Sequence, residues 1–232
     1  MKRIIVTVVV VALAYVATQI HGFSSDLERV RSDDPTVWNE EISAFANESP
    51  GPSDALLFVG SSSIRRWADL AEHMAPIEVI NRGFGGSKIG DVIYHGETLF
   101  QAESPLAIVI FVGTNDITPG ASKPLPVMVD AFEQMMEIVR RLHPETPVYY
   151  IAITPSPLRW EVWNEAREVN RAISALSDRM ANTFVIDTSD ELMSEGVPDD
   201  SNYVLDRLHL SDQGYAIWAE IVRAQIFSDL NL

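Results

Sequence analysis

Three adjacent serines at residues 61–63 follow an apolar run and a glycine, an arrangement that can present a nucleophilic hydroxyl. The apolar run, residues 56–59, has the length of a buried strand, and helical spacing begins directly after the serines. The serines are therefore predicted to lie in a tight strand-to-helix turn, where the free N–H groups of the helix can bind negative charge. Serine is also a common N-cap residue, so this pattern needs partners elsewhere.

The C-terminal region offers a carboxylate and an imidazole three residues apart. Asp206 and His209 come just ahead of a predicted helix that starts at Ser211. A carboxylate bonded to one ring nitrogen fixes the histidine tautomer, and the other nitrogen is then free to accept a proton from a serine hydroxyl. One turn can thus carry both a general base and the group that orients it.

Two further polar loops follow apolar runs. The segment 81–87 (Asn-Arg-Gly-Phe-Gly-Gly-Ser) comes after the run 77–80, and the segment 112–116 (Val-Gly-Thr-Asn-Asp) comes after the run 106–111. In an open α/β sheet, loops at the carboxyl ends of parallel strands meet at one edge. All four segments are therefore expected at the same edge.

Alternating strand and helix patterns predict the fold. Strands are predicted at 55–60, 77–81, 106–112, 148–153 and 183–187, and amphipathic helical stripes at 127–142 and 162–180. Strands that are apolar throughout indicate a parallel sheet covered on both faces. We expect a three-layer α/β/α sandwich with a five-stranded parallel sheet of the flavodoxin-like type.

With these four segments in this order, the chain resembles the SGNH hydrolases, also called GDSL esterases and lipases, over about residues 35–228. The resemblance implies that Ser62 is the nucleophile, because it stands second after Gly60 as the serine of that family does. The family's Gly-Asp-Ser-Leu reads Gly-Ser-Ser-Ser here. The missing aspartate is not the acid of the triad, but the change leaves Ser61 as an alternative nucleophile.

The remaining roles are also carried over from the resemblance. It implies a catalytic triad completed by Asp206 and His209, and an oxyanion hole formed by Ser62 N–H, Gly86 N–H and the Asn115 side chain. Ester hydrolysis by a serine passes through a negatively charged tetrahedral intermediate, so preorganised donors of this kind are required. Glycine at position 86 suits a backbone that approaches a substrate closely.

Length and composition restrict the class of protein. The 232 residues suffice for one α/β domain, and the formal net charge of −16 argues against nucleic acid or an anionic membrane surface as the main partner. There is no cysteine, and the histidines share no spacing typical of metal ligands. We expect neither a metal nor a cofactor, and the oligomeric state stays open.

The N-terminus indicates export. Lys2 and Arg3 precede an apolar run over residues 4–17, as in an export signal, and inclusion of residues 18–20 brings the run close to the length of a membrane anchor. Either interpretation places the domain in the periplasm or outside the cell, with membrane attachment through residues 4–20 in the second case. The predicted organisation is a signal or anchor (1–22), a polar linker with a bracing helix (23–53) and an SGNH hydrolase domain (54–232).

The expected function is that of a serine esterase acting on short-chain carboxylic esters, including O-acetyl groups on carbohydrates, through an acyl-enzyme intermediate. Two alternatives stay open: a lysophospholipase or thioesterase with the same machinery, and a non-catalytic exported carbohydrate-binding protein, which the missing aspartate motivates. Trp160 and Trp163, near the loop after the fourth strand, are either part of the core or a surface on which a sugar stacks.

Overall fold

A five-stranded parallel sheet forms the centre of the molecule. The computed structural model describes residues 29–48 and 51–232, so the predicted signal or anchor lies outside the described residues. The strand order is β2-β1-β3-β4-β5, and every neighbouring pair is parallel. This confirms the predicted flavodoxin-like sheet. The strands are β1 Leu56–Gly60, β2 Val79–Gly83, β3 Ala107–Phe111, β4 Val148–Ile151 and β5 Thr183–Ile186.

Helices cover both faces of the sheet, as the predicted sandwich requires. Within the described ranges, none of them is both long enough and apolar enough to cross a membrane. The helices are α1 Asn39–Ala46, α2 Ser62–Arg65, α3 Leu70–Met74, α4 Ile89–Tyr94, α5 Gly96–Leu99, α6 Leu125–Leu142, α7 Trp163–Ser177 and α8 Asp212–Leu230.

Alternating strand residues build two separate cores. Leu57 and Val59 of β1 face the core shared with α1, α4, α5, α6 and α7, whereas Leu56 and Phe58 face the core shared with α2, α3 and α8. All four of these side chains are completely buried. A strand buried on both faces must be apolar at every position, which is why these strands read as continuous apolar runs.

The second strand begins two residues later than predicted and extends into the expected loop. Asn81, the last residue of the predicted strand, and Arg82, the first residue beyond it, pair with Phe58 and Val59 of β1. The Asn81 amide donates to the Ile64 carbonyl at 2.9 Å, and the nearly buried Arg82 guanidinium forms an ion pair with Glu48. Tertiary partners therefore satisfy polar side chains that interrupt the apolar pattern of a buried strand.

The bracing helix predicted within residues 23–53 begins as a 3-10 turn, Pro35–Trp38, and continues as α1. Asp34 Oδ1 caps it by accepting the Thr36 N–H at 2.9 Å, and Pro35 stands at its first position. Trp38 and Ile42 are buried in the core against the sheet. This segment thus packs on the α/β domain and lies next to the turn that contains Gly85, because a Cβ on Gly85 would come within 1.8 Å of the Trp38 ring.

Candidate active site

The first strand ends at a glycine that the packing demands. Gly60 has φ +150°, and a Cβ there would lie 2.0 Å from the Phe111 carbonyl oxygen at the end of β3. The Ser61 N–H then donates to that same carbonyl at 3.0 Å, and α2 starts at the next residue, Ser62. The chain is therefore forced to turn sharply, with Ser62 at the first position of the helix.

Ser62, His209 and Asp206 form a continuous hydrogen-bonded chain. Ser62 Oγ lies 2.7 Å from His209 Nε2, and His209 Nδ1 lies 2.7 Å from Asp206 Oδ2. Both distances are short for hydrogen bonds of their kind. Residues separated by 147 positions in the sequence are thus in contact at the carboxyl edge of the sheet. Of the adjacent serines, it is Ser62 whose hydroxyl meets the imidazole.

Backbone hydrogen bonds fix the conformation of the loop that carries Asp206 and His209. Asp206 Oδ1 accepts the N–H groups of Leu208 at 3.0 Å and His209 at 2.9 Å, while Oδ2 is left for the imidazole. Tyr203 and Leu210 close the loop through an antiparallel bridge. This arrangement fixes the carboxylate orientation before any substrate binds.

The pKa shifts favour an ionised carboxylate beside a neutral imidazole. Burial raises the pKa of Asp206, but the hydrogen bonds from the His209 backbone, the His209 ring and the Leu208 backbone together hold it below its usual value. Burial lowers the pKa of His209, and the nearby Arg66 and Arg65 lower it further, against the opposing effect of Asp206. At neutral pH the imidazole can therefore accept a proton.

Asn115 lies beside Ser62 and His209, and a hydrogen bond to the backbone fixes its side chain. Its Nδ2 donates to the Ser87 carbonyl at 3.1 Å, which leaves the second amide hydrogen available. The next residue, Asp116, is buried; it accepts the Ile89 N–H at 2.9 Å and pairs with Lys123 at 2.8 Å. These anchors hold the loop after β3 against the loop after β2.

Two backbone donors predicted for the oxyanion hole have no acceptor among the residues that the structure describes. Within the described ranges, neither the Ser62 nor the Gly86 N–H makes a hydrogen bond to another group of the chain. Gly86 lies in the turn after β2, and this turn is tied to β1 by a 3.0 Å hydrogen bond from Phe84 N–H to the Gly60 carbonyl. Assignment of Gly86 as a donor stays a prediction.

The cleft over Ser62 is small, and a larger hollow lies beside it. The cleft has a volume of about 10 Å³, and the hollow, bordered by Arg66, Asp69 and Tyr215, has about 220 Å³. His209 borders both, so the imidazole stands between them. The walls of the cleft are Ser61, Ser62, Ser63, Phe111, Thr114, Asn115, Thr154, Ser156, Leu208 and His209.

The two tryptophans near the fourth strand have different surroundings. Trp163 is 8% exposed and belongs to the core, whereas Trp160 is 36% exposed and stacks on it with ring centroids 6.5 Å apart. Core packing is therefore the correct interpretation of Trp163, and Trp160 retains a free surface. Among the described residues, no group of three or more His, Cys, Asp or Glu side chains has the arrangement of a metal site.

Sequence reasoning missed three residues around the site. Arg66 contacts Asp206, Tyr215 OH donates to the Ser63 carbonyl at 2.8 Å, and Lys123 neutralises the buried Asp116. Arg66 and Tyr215 belong to helical stretches whose neighbours are far away in the sequence. Local periodicity cannot reveal such contacts, although the position of Asp116 directly after Asn115 marked that loop as polar.

The site has a serine after a central strand, hydrogen-bonded to an imidazole that is hydrogen-bonded to a carboxylate. This is the arrangement of a serine hydrolase. The sequence matches the GDSL-like Lipase/Acylhydrolase family over residues 48–217, and the chain belongs to that family. It is accordingly a hydrolase that acts on ester bonds.

Individual relatives are distant. Human platelet-activating factor acetylhydrolase IB subunit alpha2 is 23% identical over 200 residues, with 82% of each chain covered. A bovine homolog of isoamyl acetate-hydrolyzing esterase 1 is 28% identical over 221 residues, with 81% of each chain covered. The structure of a carbohydrate esterase family 3 protein from Talaromyces cellulolyticus shares the fold, with a TM-score of 0.61, 15% identity and coverage of 76% of this chain and 98% of that one.

Proposed function

We propose that this protein is a serine esterase that cleaves short-chain carboxylic esters through an acyl-enzyme intermediate, with O-acetyl groups on carbohydrates among its substrates. The observation that carries the proposal is the chain of two 2.7 Å contacts from Ser62 Oγ through the His209 ring to Asp206. Such a chain is the means by which a hydroxyl, weakly nucleophilic on its own, becomes reactive at neutral pH.

The reaction follows from the positions of these groups. Ser62 Oγ attacks the ester carbonyl carbon while His209 Nε2 takes the hydroxyl proton, and the Asp206 carboxylate stabilises the imidazolium that forms. Asn115 and the N–H groups of Ser62 and Gly86 bind the oxyanion. Collapse of the intermediate breaks the bond to the alcohol oxygen, which receives the proton from His209. The alcohol departs, and the acyl group stays on Ser62 as an ester.

Water completes the cycle on the same groups. His209 Nε2 takes a proton from a water molecule, whose oxygen attacks the acyl ester, and a second tetrahedral intermediate forms. Its collapse releases the carboxylic acid and returns the proton to Ser62 Oγ. The complete reaction consumes one ester and one water and yields one alcohol and one acid.

The walls of the cleft support a short acyl group. Thr154 and Ser156, whose side chains carry hydroxyl groups, line it beside Ser62. A long alkyl chain would desolvate such hydroxyls without offering hydrogen bonds in return. Two relatives are named for acetyl esters and a structural neighbour is called a carbohydrate esterase, in agreement with this proposal.

A substrate panel tests the proposal. We expect kcat/KM to fall from p-nitrophenyl acetate through butyrate to octanoate, and acetylated sugars to be hydrolysed faster than acyl-glycerophosphates or acyl-CoA. Faster turnover of octanoyl esters would contradict the short-acyl assignment. Preference for acyl-glycerophosphate or acyl-CoA would favour a lysophospholipase or thioesterase, and turnover of none of them would favour a binding protein.

We further propose that the protein is exported. The proposal rests on the basic residues Lys2 and Arg3 ahead of the apolar run at 4–17. Fractionation of expressing cells, followed by N-terminal sequencing, tests it. Recovery of the intact chain in the cytoplasm would contradict export, and the N-terminus of the recovered protein separates a cleaved signal from a retained anchor.

A further inference from the structure

Arg66 stands directly behind the proposed triad. It follows the last residue of α2, and its N–H donates to the Ser62 carbonyl at 2.9 Å. Its guanidinium Nη1 lies 3.6 Å from Asp206 Oδ2. One helical turn therefore separates the Ser62 hydroxyl, which contacts His209, from the Arg66 guanidinium, which lies near Asp206.

The guanidinium approaches the oxygen that serves the imidazole. Asp206 Oδ2 receives His209 Nδ1 at 2.7 Å, whereas Oδ1 is occupied by two backbone N–H groups. At 3.6 Å the Arg66 contact is electrostatic and leaves the shorter bond to the imidazole intact. A cation in this position resists rotation of the carboxylate toward solvent, since such a rotation would break both attractions.

We propose that Arg66 is a positioning residue for the Asp206 carboxylate and extends the activity of the esterase to lower pH. The inference rests on the proposed function and adds to it a residue that neither the family resemblance nor the sequence pattern singled out. Arg66 acts through Asp206 and His209, without contact with the reacting atoms.

The charges around His209 support the claim that Arg66 extends the activity to lower pH. The imidazole is flanked by one carboxylate in direct contact and by two arginines at the end of α2, and both arginines disfavour its protonated form. The other polar groups belong to the segment after α2 and to α8, where Tyr215 stays neutral because burial raises its pKa. The groups facing the imidazole or bordering the same hollow are Asp206, Arg65, Arg66, Asp69, Asp212 and Tyr215.

The direction of the effect follows from these charges. Removal of the Arg66 charge leaves Asp206 unopposed, so His209 holds its proton up to a higher pH. The base form then disappears earlier as the pH falls, and the acid limb of the kcat/KM profile moves upward. Because Arg66 and Asp206 side chains are 48% and 38% exposed, solvent and salt weaken the effect without abolishing it.

Three variants of the full-length chain test the proposal. Arg66→Gln removes the charge, Arg66→Lys keeps it, and Arg65→Gln is the matched control, because Arg65 is an exposed neighbour on the same helix without a contact to Asp206. We measure kcat/KM for p-nitrophenyl acetate from pH 4.5 to 9, in low and high salt. Relative to the wild type, Arg66→Gln should lose about threefold more activity at pH 5 than at pH 8 in low salt, and less in 0.5 M NaCl.

The controls separate the alternatives. Arg66→Lys should restore most of the wild-type profile shape, and Arg65→Gln should shift it less than Arg66→Gln does. An Arg66→Gln profile that superimposes on the wild type, or an equal shift in Arg65→Gln, overturns the proposal. If Arg66→Gln does not fold, an acid limb of the wild type that is insensitive to salt overturns it as well.

Failure of the proposed function gives a different result. A wild type that neither hydrolyses the ester nor reacts with a serine-directed phosphonate contradicts the esterase itself. An active, labelled wild type with an unshifted Arg66→Gln variant contradicts only the role of Arg66.

Discussion

Replacement of Asp206 by asparagine tests how the triad works, because the two side chains have the same shape. The Oδ1 position accepts two backbone N–H groups, from Leu208 and His209. Only the amide oxygen of asparagine can take that position, so the amide nitrogen must face His209 Nδ1. The imidazole would then carry its proton on Nε2 and donate to Ser62, the reverse of what a general base requires.

The structure sets the magnitude of this defect. The carboxylate lies 2.7 Å from the ring nitrogen and is 38% exposed, so with an effective dielectric constant of about 40 its charge stabilises the imidazolium by about 3 kcal/mol. Rotation of the amide to restore the correct tautomer would break the bonds to the backbone, at a cost of about 1.5 kcal/mol. Together these effects predict that kcat for Asp206→Asn falls by roughly 10³-fold.

The assay is steady-state hydrolysis of p-nitrophenyl acetate, with circular dichroism and thermal unfolding to verify the fold. Asp200→Asn is the matched control, because Asp200 belongs to the same region and pairs with Arg207 at 3.2 Å without contacting His209. The control should retain activity within about twofold of the wild type. A loss of less than tenfold in Asp206→Asn would refute the reasoning about the tautomer and the charge.

Three further predictions concern the oxyanion, the pH dependence and the strand end. Asn115→Ala should lower kcat by about 10²- to 10³-fold with little change in KM, and a loss below fivefold would exclude Asn115 as an oxyanion donor. Since burial and the nearby arginines lower the pKa of His209, the base form persists on acidification, and kcat/KM should reach half its maximum below the ordinary histidine value of 6.5; a midpoint above 7 would contradict this. Gly60→Ala would place a methyl group 2.0 Å from the Phe111 carbonyl at φ +150°, so it should destabilise the fold by about 3 kcal/mol or more; an unchanged Tm in thermal unfolding would show that the turn relaxes.

Apolar runs made the sheet predictable from sequence. Strands such as β1 and β3 are buried on both faces, so every position must be apolar, and their ends are marked by glycine or by polar residues. The limits of β2 were less accurate because the strand continues past Asn81 through Arg82, whose side chain forms an ion pair with Glu48. Compensation of this kind depends on tertiary contacts that no local pattern contains.

The site was predictable only to the level of residue types and their order. Parallel strands bring their carboxyl ends to one edge, so polar segments after successive strands had to be neighbours. The contact of Arg66 with Asp206 depends on how the loop before α8 folds back over α2, which the spacing in the sequence does not encode. The buried ion pair of Asp116 with Lys123 also depends on tertiary packing. From the sequence alone, both charged residues are expected to lie in solvent.

The most direct test of the account is to identify the serine that reacts. After treatment with a fluorophosphonate, peptide mass mapping of the wild type should show one adduct, on Ser62, whose Oγ lies 2.7 Å from the imidazole. The adduct should disappear in Ser62→Ala and persist in Ser61→Ala. An adduct on Ser61 or Ser63, or the absence of any adduct in an otherwise folded protein, would contradict the central claim that Ser62 is the nucleophile.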